Sequence, residues 1–143
     1  MTLPSHRLIE NLIGRYAELV DDGDFAGVGE LFAAATFHGR DADSAGSDAV
    51  TGMLRDQVRL YPNGTPLTRH VTTNLIVEVD EEAGTARARS AVTIFQATPE
   101  LPLQAIAAGR YADGFRRVDG AWRFSSRRVS FQLAGDLSHH LLR

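Results

Sequence analysis

The 143-residue chain contains no cysteine and no lysine, and no uninterrupted apolar run approaches the length of a membrane span. The first absence removes disulfides, thiolate metal ligands and cysteine nucleophiles. The second leaves arginine as the source of all fifteen basic side chains. It excludes lysine Schiff bases, a lysine general base and a pyridoxal linkage. The abundance of Ala, Gly and Asp beside those arginines points to genome composition as the cause. The opening MTLPSHRLIENLIGRY carries charges among its apolar residues, so it lacks the h-region of a signal peptide. A cytoplasmic protein with no membrane partner is the expectation.

Net charge is −3, so no global field draws in nucleic acid or an anionic surface. Hydrophobic content of 43% and charged content of 23% suit an ordinary globular protein. One domain spanning residues 1–143 is expected for this length. Familiar motifs fail. GRDADSAGSDAV has Gly52 where a calcium loop needs glutamate, and GVGELF lacks the third glycine of a dinucleotide fingerprint. No phosphate loop, zinc helix or serine elbow occurs, and neither a metal nor a cofactor is expected. His139 and His140 read as exposed residues of the chain end.

Leu8, Ile9, Leu12, Ile13, Tyr16, Leu19 and Val20 recur at helical spacing and predict a helix over 5–22. Gly23 stops it, and Asp24 can cap a second short helix through about Phe32. A short strand is read at 36–38, a polar loop at 39–48, and a third helix that Ser47 or Asp48 caps. YPNGTP breaks that helix. Long strands follow at about 67–79, 85–97, 104–118 and 121–131, the last two joined by Asp119-Gly120, a two-residue hairpin signal. Helices followed by strands make an α+β domain.

Four places hold residues suited to chemistry. In LTRHVTTNLIVEV, Val71, Thr73, Leu75, Val77 and Val79 alternate as one apolar face, and His70, Thr72, Asn74 and Ile76 form the other. If His70 points inward, the valine face is outside and a second copy of the chain would cover it. Asp21 closes the first helix, where the dipole disfavours a carboxylate, so another interaction is needed to account for it. Tyr16 lies mid-face on that helix with a hydroxyl that needs a partner. In the last hairpin an unbroken register places Phe115 opposite Phe124, Arg116 opposite Arg123 and Tyr111 opposite Arg128. Tyr111, Asp113 and Arg128 then share the inner face, and a bulge would send Arg128 outside.

In order, YAELVDDGDFAGVGELF, TRHVTTNLIVEV and GRYADGFRRVDGAWRF resemble the SnoaL-like proteins of the nuclear transport factor 2-like superfamily, over roughly residues 5–131. The resemblance implies a cone-shaped, curved mixed sheet wrapped around an apolar pocket and closed by about three N-terminal helices. Its branches include scytalone dehydratase, bile-acid dehydratases, hexachlorocyclohexane dehydrochlorinase and polyketide cyclases, as well as largely structural dioxygenase small subunits. It assigns Asp21 and His70 to a carboxylate–imidazole pair, Tyr16 to a catalytic tyrosine, and Arg128 or Arg127 to a late arginine. Phe95 stands where scytalone dehydratase has a second histidine, and Tyr111 falls near its pocket asparagine. The reading is a cofactor-independent, dehydratase-like lyase for a hydrophobic cyclic or polyketide-like molecule. His70, Asp21 and Tyr16 are its catalytic candidates. Tyr111, Arg128, Asn74, Phe95 and Phe37 are its substrate-binding candidates, with Leu12, Ile13, Val92, Ile94, Phe115 and Phe124 as further apolar lining. An isomerase, an aldol-type polyketide cyclase, or a non-catalytic binder or subunit is the alternative. A homodimer or homotrimer is expected.

Overall fold

The structure, a computed structural model, describes residues 2–142. Helix α1 (Ser5–Asp21) begins after Pro4 and buries Ile9, Ile13, Tyr16, Leu19 and Val20. Its end depends on Gly23, whose φ of 75° is the left-handed conformation that closes a helix. A Cβ there would also lie 2.1 Å from the carbonyl oxygen of Gly64. Helix α2 (Phe25–Leu31) is capped by Asp24, which accepts from the Gly27 N–H at 2.9 Å. After strand β1 (Thr36–His38), the polar loop contains an unforeseen short strand, β2 (Asp43–Ala45). Helix α3 (Ser47–Gln57) takes Gly46 as its N-cap; neither Ser47 nor Asp48 serves, and Asp48 lies in the first turn.

Strands β3 (Thr68–Asp80), β4 (Thr85–Thr98), β5 (Leu101–Val118) and β6 (Ala121–Ala134) complete the chain. The six strands form one sheet in the order β2-β1-β6-β5-β4-β3. β1 runs parallel to β6, and the other neighbours are antiparallel, so the sheet is mixed. It is curved and unclosed, and α1 packs against β3 and β6, consistent with the expected cone. The β5–β6 hairpin turns on Asp119 (φ 51°) and Gly120 (φ 80°), the paired left-handed residues of a type I′ turn.

Of the several register shifts in the sheet, two bulges decide how the candidate residues of β3 and β6 face. In β3, Thr73 pairs with Ala91 but Ile76 pairs with Arg89, so β3 carries one extra residue there. Asn74 sits in this bulge with φ 56°. The alternation changes face, as bulges require. Thr68, His70 and Thr72 point inward before it; Leu75, Val77 and Val79 do so after it and pack on the core. The expected continuous apolar outer face is therefore corrected: it keeps Val71 and Thr73 and gains Ile76.

The second bulge lies in β6. Gly114 pairs with Ser126 and Phe115 with Phe124, leaving Ser125 unmatched. Phe115–Phe124 and Arg116–Arg123 face each other as the sequence suggested. Beyond the bulge Tyr111 pairs with Val129 rather than Arg128, and Asp113 pairs with Arg127. Arg127 is buried and Arg128 is exposed.

Candidate functional site

The α1 terminus and the start of β3 meet at Asp21. Its Oδ1 accepts from the Thr68 hydroxyl at 2.9 Å and faces His70 Nδ1 at 2.6 Å. Its Oδ2 accepts from the His70 backbone N–H at 2.8 Å. Arg69 Nε lies 4.0 Å away, largely in solvent. The Asp21 and His70 side chains are only 9% and 6% exposed, so solvent screens this pair little. A carboxylate accepts only, so the shared proton is assigned to Nδ1. That tautomer leaves a lone pair on Nε2 for another group. The helix end is unfavourable for a carboxylate by dipole alone, and the donors of β3 supply the compensation.

A second cluster lies deeper. Arg127 donates through Nε and Nη2 to the two oxygens of Asp113, at 2.8 and 2.9 Å, and both side chains are fully buried. Such a bidentate pair satisfies the desolvated charges together. The guanidinium carbon lies 3.6 Å from the Tyr111 ring centroid and 4.3 Å from that of Tyr16, in cation–π contact with both. Tyr16 and Tyr111 pack edge to face at 6.0 Å, and Phe37 stacks on Tyr16 at 6.4 Å. Phe37 and Arg127 are register partners between β1 and β6.

Burial raises the Tyr16 phenol above its ordinary value, partly offset by the Arg127 cation. Burial also raises Tyr111, with the neighbouring Tyr16 adding to it. Both hydroxyls stay protonated at neutral pH. Burial lowers the Arg127 guanidinium, but the charge and hydrogen bonds of Asp113 outweigh it and hold the cation. Asp21 acts electrostatically on both phenols, which links the two clusters.

Of the residues singled out from sequence, the fold brings together Asp21 with His70, and Tyr16 with Tyr111 and Phe37. Three others go elsewhere. Arg128 is exposed on the outer face in register with His38 and Ala112, because of the β6 bulge; Arg127 takes the inner place. Asn74 is exposed at the β3 bulge and leaves the His70 face. Phe95 is half-buried and paired with Arg69, while its neighbours Ile94 and Gln96 are buried on the opposite side. Ile13, Val92, Ile94, Phe115 and Phe124 belong to the packed core. Phe124 lies 5.0 Å from Phe32 and 4.8 Å from Phe115 by ring centroids. Leu12 instead lines a surface depression with Leu8 and Trp122. A second depression, lined by His38, Glu78, Arg89 and Arg128 among others, is likewise remote from His70.

Sequence reasoning missed His140. It is 6% exposed, not solvated at the chain end. Burial first, and then the charge of His70, push its imidazole down to about 4, against a smaller opposite pull from Asp21. The only available signal was a histidine pair beside Leu141 and Leu142, an apolar context for a terminus. Among the described residues no cluster of three metal-ligating side chains occurs, and no helix is long and apolar enough to cross a membrane.

No curated protein matches the sequence. Solved structures do. A protein of unknown function from Mycobacterium tuberculosis shares 28% identity, with a TM-score of 0.72 over 92% of this chain and 79% of the other. A candidate scytalone dehydratase from Novosphingobium aromaticivorans shares 24% identity, with a TM-score of 0.72 over 92% and 86%. LinA shares 19% identity, with a TM-score of 0.73 over 94% and 90%. The last two likenesses are of fold. The family model described as a SnoaL-like domain matches residues 1–128. A curved mixed sheet behind three helices, with that match over most of its length, makes this chain a member of the SnoaL-like family.

Proposed function

We propose that the protein is a cofactor-independent, dehydratase-like lyase acting on a hydrophobic, cyclic or polyketide-like small molecule. The observation that carries this reading is the buried Asp21–His70 contact at 2.6 Å. A histidine held on Nδ1 by a carboxylate presents Nε2 as a general base, and the carboxylate stabilises the imidazolium as it forms. The proton removed would lie beside a carbonyl or on a ring-activated carbon. Tyr16 and Tyr111, kept protonated by burial, are the donors for negative charge developing on the carbonyl oxygen. Arg127, rather than Arg128, supplies the nearby cation; its Nη1 makes no hydrogen bond among the described residues. A candidate scytalone dehydratase among the similar structures is consistent with this class. An isomerase or an aldol-type cyclase begins with the same proton transfer, and the site geometry suits those reactions equally.

The test is exchange of the α-protons of β-tetralone in deuterated water, followed by proton NMR. Wild-type protein should catalyse exchange, and His70→Ala should lose on the order of 10²–10⁴-fold. Equal rates for the two proteins would remove His70 as the base, and a wild-type rate no higher than that without protein would leave the non-catalytic reading in its place.

A further inference from the structure

The C-terminal segment docks on the site. His139 C=O accepts from the buried Gln96 amide at 3.1 Å and from the Tyr61 hydroxyl. His140 C=O accepts from Arg59 N–H at 2.8 Å, and Leu142 N–H donates to Gln57 C=O at 2.8 Å. Leu141 bridges to Val58. Gln96 is the register partner of Thr68, and Ile94 that of His70. Thr68 and His70 lie two residues apart on the inner face of β3, so the anchor of the tail is one step along the sheet from the imidazole–carboxylate pair. His140, the next residue after that anchor, is buried, and its Nδ1 has no hydrogen-bond partner among the described residues.

An unpaired buried polar atom costs about 1–3 kcal/mol, and a substrate group that pairs with it recovers that cost. We propose that His140 is a substrate-contacting residue of the Asp21–His70 site, its Nδ1 hydrogen-bonding the hydroxyl oxygen of a β-hydroxy carbonyl substrate. This inference rests on the lyase reading and gives it a substrate class. The imidazole is uncharged at neutral pH, so it does not oppose the imidazolium that forms on His70. In the elimination, His70 takes the α-proton and its electron pair becomes the new carbon–carbon π bond. The β carbon–oxygen bond breaks with its electrons on oxygen. The proton on His70 passes to that oxygen, which leaves as water while His140 holds it by a hydrogen bond donated from Nδ1.

The experiment uses the aldol adduct of benzaldehyde and acetone as the probe. α-Proton exchange is followed by NMR, and elimination to benzylideneacetone by ultraviolet absorbance. His140→Leu fills the space without a donor. It should lose elimination by about 10²-fold, a larger loss than it causes in exchange, because the leaving oxygen takes part in elimination alone. His140→Asn places an amide near the position of Nδ1 and should recover at least part of that loss. His140→Leu eliminating as fast as wild type would overturn the proposal. A wild-type protein that neither exchanges nor eliminates the probe overturns the lyase reading, and a second measurement then decides on His140 alone. In nitrogen-15 imidazole spectra, His140 should stay neutral to about pH 4, and its titration should move upward in His70→Ala. A His140 titrating near its ordinary value in both proteins would show a tail that does not face His70, and the inference would fall.

Discussion

Asp21 holds His70 twice, through the ring Nδ1 at 2.6 Å and through the backbone N–H at 2.8 Å. The second contact fixes the strand against the helix end, so the first acts on an imidazole with little freedom to turn. Replacing the carboxylate therefore separates two effects. Asp21→Asn can keep the backbone acceptor but cannot stabilise an imidazolium. α-Proton exchange of β-tetralone should fall by about 10²–10³-fold while the folded state persists in circular dichroism. An unchanged exchange rate would show that the carboxylate has no part in the proton transfer.

Neighbouring arginines should behave in opposite ways. Arg127→Ala leaves Asp113 charged, buried and unpaired, and should cost about 3–5 kcal/mol in urea unfolding. Arg128→Ala removes an exposed side chain from the outer face and should stay within about 0.5 kcal/mol. Replacing Arg127 and Asp113 together by Met and Leu should cost much less than Arg127→Ala alone. Equal costs at 127 and 128 would mean that the β6 bulge is absent in solution.

Stability should depend on pH through His140. Its folded-state imidazole lies at about 4, below the ordinary value near 6.5 of the unfolded chain. The unfolded state therefore binds more protons between those values. The stability is fully present above about pH 6.5 and is lost as pH falls toward 4, by on the order of 3 kcal/mol. His140→Leu should flatten this slope in denaturant titrations at a series of pH values. A slope of the same size in the variant would assign it to other groups.

Gly23 is constrained both by its φ of 75° and by the Gly64 carbonyl oxygen, 2.1 Å from where a Cβ would stand. Gly23→Ala should lower stability by more than about 1 kcal/mol. It should also weaken proton exchange on β-tetralone, because the same turn aims Asp21 at β3. Stability equal to wild type would show that the turn relaxes freely.

The outer face offers a weaker apolar strip than the sequence suggested. Val71, Thr93, Ala108 and Leu133 form one register row across β3 to β6, with Leu133 68% exposed. We propose that a second copy covers this row. Light scattering should give the mass of a dimer or trimer, and Leu133→Asp should reduce it toward that of one chain. A monomeric wild type would end that proposal.

By itself the sequence determined the elements and their order, apart from the short strand β2, because those signals are local. The 3.6-residue stripe of α1, the Asp24 cap and the Asp119-Gly120 turn each act within a few residues of themselves. The pairing of Asp21 with His70 was reached through the order of motifs and their family resemblance, not through periodicity. Which residues faced the interior was decided only by tertiary structure. A bulge adds one residue without any compositional mark, so the extra positions near Asn74 and Ser125 reversed the alternation beyond them, turning Leu75, Val77 and Arg127 inward and Arg128 out. His140 escaped notice for the same kind of reason. Its burial depends on Gln96, Tyr61 and Arg59, far away in the chain, and a terminal histidine carries no local sign of the distant groups that will enclose it.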